Sequence, residues 1–415
     1  MSTKHRVVIT GVGVVAPNGV GKEAFWQALM QGLSGVRPIR RFDPSPYATR
    51  IAGELTDFDP RDYMDARDVK KVDRSNIYAI AAGDMALKDS GLDLRAEDVE
   101  RIGSSIGNSV GGVDYVKKEI DVINEKGPHW TSPYLAIAFF PCGTNGLLSI
   151  RLGIKGVVLT LCNGNTSGTD AIGMAYRTIQ SGRADVMFAG GTEAPLVPLF
   201  VGSLSKDGYL SKRNEAPDQA ARPFDAGADG MVLSEGSGLV VLESLAHATA
   251  RGARIYAEVV SYASGNSAFD IFRPDSNGWG LINTMKRAMR EARISPQDVD
   301  VVHGQGFSLP DYDSMETRCV WESFKDLDTL PPVTAVGSLT GNSLGALGGF
   351  QAVASALMIE RKAVPAVANF QAAGDVRYPL PIARHLLHPQ RTDVIIQNAF
   401  CFMGKSSTLI LRRIG

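Results

Sequence analysis

Cysteine is scarce in this chain, with four in 415 residues, at 142, 162, 319 and 401. None falls in a CxxC pair or at a His–Cys spacing suited to a metal, so the common zinc frameworks are excluded. A disulfide scaffold is excluded too, and the thiols suit a reducing compartment. An excess of one charge is also missing. Lys and Arg number 43 against 44 Asp and Glu, with no basic run or acidic tail. Nothing supports a nucleic-acid or anionic-membrane surface. No apolar run reaches the roughly 18 residues of a membrane span. The opening MSTKHRVVITGVGVV is too short, too rich in Val and Ile and too soon broken by Gly to be a signal peptide. The expectation is a soluble cytoplasmic protein without metal or cofactor.

Glycine is plentiful, at 44 residues, and gathers in short stretches such as GVGVV, GNSVGG, AGGTE and GNSLGALGG. Between them lie β-branched runs, 6–10, 185–189, 238–242 and 300–302, which read as buried strands. Stretches 25–32, 77–90, 167–181 and 282–292 read as helices. Such alternation predicts α/β layers around a largely internal sheet.

The chain echoes itself. ALKDSGLDLRAEDVERIGSSIG, from residue 86, resembles AMREARISPQDVDVVHGQG, from residue 288. NTSGTDAIGMA, from 165, resembles NSLGALGGFQA, from 342. Both members of the second pair put Asn and Ser ahead of a helix of small residues. Two halves, 1–250 and 251–415, would bring these helix starts to one pseudo-symmetric centre, so the site is sought at 165, 303 and 342 together.

The corner at residues 160–173 reads TLCNGNTSGTDAIG. A helix start presents free N–H groups and a partial positive charge, which lower a thiol's pKa and cradle an oxyanion. Cys or Ser at position 165 would be a nucleophile. Asn165 cannot form the acyl ester and, read alone, is a good N-cap. Cys162 lies on the strand side, away from the helix dipole, where a free thiol is more often a small hydrophobe. His303, at a strand end before glycines, reads equally as an acid–base group or a turn histidine. Asn342 reads as a hydrogen-bond donor to a carbonyl or as a cap.

At these residues a family resemblance emerges. The stretches VVITGVGVVAPNG, GRADVMFAGGTEAPLVPLFVGSLSKDGYLS, RPFDAGADGMVLSEGSGLVVLE, HGQG, SLTGNSLGALGG and NAFCFMGKS, in that order, resemble a β-ketoacyl synthase over essentially the whole chain. The resemblance implies a thiolase-like αβαβα layered fold with duplicated halves. It places the family nucleophile at Asn165, the first family histidine at His303, the second at Asn342 and the family lysine at Gly337. Cys401, Met403 and Lys405 stand in the glycine-rich loop that admits substrate. The HGTGT-type run is altered and carries two extra residues.

Loss of the nucleophile, one histidine, the lysine and the loop glycines makes the pattern similar to the chain-length factor of bacterial type II polyketide synthases. Such a subunit implies an active ketosynthase paralogue as heterodimer partner and, through the complex, an acyl carrier protein. Its side chains would wall the partner's tunnel, and overpacking of on the order of 1–3 kcal/mol would stop elongation. Val113, Tyr115, Val116, Phe139, Phe140, Pro141 and Cys142 are the expected tunnel and interface positions, although aromatics there are also ordinary packing residues. Three other readings stay open. The chain could be a malonyl-carrier decarboxylase using His303 and Asn342, a non-catalytic scaffold, or a ketosynthase acting through Cys162.

Overall fold

Apolar runs buried on both faces build the sheet of this protein, whose computed structural model describes residues 4–415. The principal strands are Val7–Ala16 (β1), Ile102–Gly107 (β2), Val158–Leu161 (β3), Val186–Glu193 (β4), Gly236–Ser244 (β5), Ala257–Asn266 (β6), Val301–His303 (β7), Val333–Thr334 (β8), Val394–Phe400 (β9) and Lys405–Arg412 (β10). β1 runs well beyond the expected Thr10, through glycines that look like punctuation in the sequence. Gly13 is needed for packing, because a Cβ there would lie 1.9 Å from Ala82 O.

The strands pair in the order β8-β7-β9-β10-β6-β1-β5-β4-β2-β3. Read inward from either end, the two halves have the same order. β7 runs parallel to β8 and β9, as β2 does to β3 and β4, and the remaining neighbours are antiparallel. The halves join through Val7–Ile9 of β1 against Ala257–Val259 of β6. The duplication expected from the sequence echoes is therefore visible in the topology.

Seven helices matter for the site: Arg74–Ser90 (α1), Val113–Lys126 (α2), Gly143–Leu152 (α3), Ser167–Gln180 (α4), Trp279–Ala292 (α5), Pro310–Phe324 (α6) and Leu347–Arg361 (α7). α1 starts ahead of the expected Ile77 because the Asp73 carboxylate accepts the Ser75 N–H at 2.8 Å and caps it. α4 and α7 are buried almost throughout and pack on each other between the two sheet halves. α1 and α5 cover the outer faces, giving the expected αβαβα layering. Among the described residues no helix is long and apolar enough to cross a membrane.

The two ends of the sheet differ. β8 is buried, and its Val333 bridges to Ile382. Among the described residues β3 has β2 as its only strand neighbour, and it is partly exposed, with Val158 45% accessible.

Candidate functional site

The starts of α4 and α7 meet, as the paired Asn-Ser stretches predict. Asn165 Nδ2 donates to Asn342 Oδ1 at 2.8 Å, with both side chains buried. Asn165 lies within a 3-10 turn, Gly164–Thr166, and makes no cap, so its N-cap reading is set aside. Asn342 does cap locally, because its Oδ1 also accepts the Leu344 N–H at 3.0 Å. Its Nδ2 lies 3.7 Å from Met231 Sδ. The two amides thus largely satisfy each other.

The loop after β9 closes over this pair. Cys401 Sγ lies 3.5 Å from Asn165 Oδ1, and burial raises its thiol pKa. A Cβ on Gly164 would stand 2.3 Å from that sulfur, and its φ is +65°, so the turn requires glycine on both counts. Phe402 packs against Tyr209, Phe307 and Tyr312 at ring separations of 5.2, 5.8 and 5.4 Å. Met403, at φ 64°, is held in the left-handed region by its N–H donating to Ile271 O at 2.8 Å. Below the pair, Asp170 accepts hydrogen bonds from Asn163, Thr166 and Tyr262, each at 2.8 Å, and from Ser407. Lys405 Nζ reaches Asn163 Oδ1 at 3.4 Å.

His303 makes its hydrogen bond elsewhere. It ends β7, in register with Thr334 and Gln397, and its Nδ1 lies 2.8 Å from Ser355 Oγ on α7. Its Nε2 is buried without a partner, and burial drives its pKa down to about 3, so the ring is neutral. Among the described residues no hydrogen bond joins His303 to Asn342. Gln305, two residues on from His303, binds the loop that carries Cys401. Its Oε1 accepts the N–H of Phe400, the neighbour of Cys401. Sequence reasoning missed Gln305, and a signal for it lies in α6. Glu316 accepts the N–H groups of Gln305 and Gly306, each at 2.9 Å. Asp313 accepts those of Phe307 and Ser308 at 2.8 and 3.2 Å. These two acids, three residues apart, fix the backbone of the run. Burial pushes Asp313 up to about 8 and Glu316 up to about 7. Glu193 was missed as well. It is pushed up to about 7 by burial and accepts the N–H groups of Ser109, Val110 and Gly345.

Chemically, the centre holds no nucleophile beside a base. Cys162 is exposed and directed at Ser109 O, 3.5 Å away, and partial burial raises its pKa. That is the opposite of the shift an attacking thiolate needs.

The expected tunnel residues divide. Tyr115 is buried, and its hydroxyl lies 2.8 Å from Ser132 Oγ, so it braces its own chain rather than facing outward. Val113 and Val116 are half-buried. Phe139 and Phe140 are exposed at 60% and 55%, and Pro141 and Cys142 beside them are exposed as well. Ile137, Ile150 and Val158 are exposed too, the last of them on the edge strand β3.

Family models match this chain in two parts: "Beta-ketoacyl synthase, N-terminal domain" over residues 4–248 and "Beta-ketoacyl synthase, C-terminal domain" over residues 256–371. The chain is 37% identical over 411 residues to the 3-oxoacyl-[acyl-carrier-protein] synthase 2 of Coxiella burnetii, covering 99% of each chain. It is 36% identical over 414 residues to the putative polyketide beta-ketoacyl synthase 1 of Streptomyces cyaneus, covering 98% of each. Among solved structures, the ishigamide ketosynthase/chain length factor superposes with a TM-score of 0.91 at 27% identity, covering 99% of this chain and 100% of that one.

Proposed function

The chain belongs to the β-ketoacyl synthase family, and from that premise we propose that it is the non-condensing subunit of a type II polyketide synthase, a chain-length factor. One observation carries the reading: Asn165, where the family nucleophile falls, is tied to Asn342 and covered by Cys401. An amide can neither accept nor transfer an acyl group. The partner in this reading is a ketosynthase paralogue that keeps its cysteine, with an acyl carrier protein reaching the pair through that partner. The similarity to a ketosynthase/chain length factor supports it. The relatives named as synthases are condensing enzymes by name, and Asn165 is where this chain parts from that role. Residues 1–250 and 251–415 form its two halves.

Shape rather than chemistry is then the contribution. Phe139, Phe140, Pro141 and Cys142 stand on the open edge, free to enter a neighbour's cavity. Val113 and Val116 lie at its rim, and Tyr115 holds the segment through Ser132. Each elongation adds two carbons, so a smaller residue at the end of the tunnel admits roughly one further cycle. Co-expression with the cysteine-bearing paralogue and product analysis by mass spectrometry test this. Phe140→Ala should lengthen or scatter the products. An unchanged product at unchanged yield, with the complex intact, would refute the assignment. Decarboxylation through His303 and Asn342 is a separate reading, tested by assaying the purified chain alone for decarboxylation of a malonyl carrier protein.

A further inference from the structure

Away from the asparagine pair, a cavity of about 290 Å³ opens between the chain near Phe58 and the starts of α1 and α2. Arg41, Lys70, Arg74 and Lys118 line it, with Asp114 as the single carboxylate. The rest of the wall is apolar. It includes the rings of Phe58 and Tyr78, edge to face at 5.3 Å, and that of Tyr115.

Arg74 distinguishes this cavity. Its Nε, Nη1 and Nη2 are all buried, and none has a hydrogen-bond partner. A guanidinium cannot shed its charge, and buried donors are ordinarily satisfied. Two carboxylates stand near it without completing a hydrogen bond. Asp114 Oδ2 is 3.2 Å from Nε, and Glu235 Oε2 is 3.6 Å from Nη2. The other Glu235 oxygen already accepts from Arg41 at 2.6 Å and from the Leu55 N–H at 3.0 Å. Both acids therefore stand beside Arg74 without satisfying its N–H groups. Arg41 Nε is likewise buried and unpartnered.

The charge around the cavity selects the ligand. Glu54, Glu235 and Asp114 offset most of the four cations, which leaves room for a monoanion rather than a phosphate dianion. A planar carboxylate matches the guanidinium fork with two hydrogen bonds. The aromatic and aliphatic wall accepts an apolar body of modest size.

We propose that this cavity binds a small amphipathic carboxylate, its apolar body against Phe58, Tyr78 and Tyr115 and its oxygens on Arg74, with Lys118 at the rim. The proposal shares Tyr115 with the chain-length reading but uses neither Asn165 nor the open edge.

Calorimetric titration of the full chain with cinnamate, and with the neutral cinnamamide as control, tests it. Cinnamate should bind saturably. Loss of a charge-assisted pair implies about tenfold weaker binding for cinnamamide, and for cinnamate with Arg74→Met. Lys118→Met, at the exposed rim, should weaken cinnamate about threefold, a smaller loss because solvent screens that charge. If Arg74→Met fails to fold by circular dichroism, Arg74→Lys replaces it, with weakening between those two values. No saturable heat at millimolar cinnamate would overturn the proposal. So would equal binding of acid and amide, or affinity untouched by both the Arg74 and the Lys118 substitutions.

Discussion

The two halves of this protein repeat one strand order but treat their outer strands in opposite ways. β8, at the end of the second half, is sealed: Ala383 donates its N–H to Val333 O at 2.9 Å, and Ile382 bridges the same strand. β3, at the end of the first half, is partly exposed, and Ile137, Phe139, Phe140 and Ile150 of the same half are exposed too. An open apolar edge is an aggregation hazard unless something covers it. The difference teaches that the duplicated core tolerates either fate; under the proposed pairing, association would fall to the first half.

Charging each edge in turn tests that division most severely. Phe139→Glu together with Phe140→Glu should abolish co-purification with a ketosynthase partner while leaving the chain's own melting temperature near its original value. If the complex persists, the open edge is not the interface. Ala383→Asp should do the reverse. A carboxylate buried at the sealed edge costs about 2–4 kcal/mol, read as a lower urea midpoint, with the partner still captured.

A milder test reaches both halves at once. Glu193 and Glu235 in the first half are pushed up to about 7 by burial, as is Glu316 in the second, while Asp313 reaches about 8. All four stand above their unfolded values, so the folded state holds their protons more tightly. Their stabilising contribution is complete below the unfolded pKa and disappears as pH rises through the folded one. The urea midpoint should therefore fall from about pH 4 to about pH 8 and level off above it. A flat profile would mean that these carboxyls titrate normally.

The smallest effect compares the two asparagines. Asn165→Ala removes one amide contact and should cost about 1 kcal/mol. Asn342→Ala also strips the cap from Leu344, and should cost roughly another 1 kcal/mol. Equal losses would show that the centre is energetically symmetric after all.

Much of this was legible beforehand. β-branched runs marked the strands, and the echo between residues 165 and 342 foretold that two helix starts meet, because repeated local patterns fold alike. The helix boundaries near Asp73 were blurred, since caps lie outside the apolar period. What escaped was orientation. His303 and Gln305 differ by two positions, and only the fold reveals that the first faces Ser355 while the second reaches Phe400. Tyr115 and Phe140 look alike in composition, yet one is an internal brace and the other is exposed. Side-chain direction depends on which neighbours arrive from elsewhere in the chain, and a linear pattern does not carry that information.

The amide pair at the centre has one more consequence. Neither side chain ionises, oxidises or alkylates under ordinary conditions. The bond between the helix starts should therefore keep the same length in acid, in base and under peroxide. A thiol facing an imidazole would change its charge and spacing across that range, whereas the amide pair keeps both.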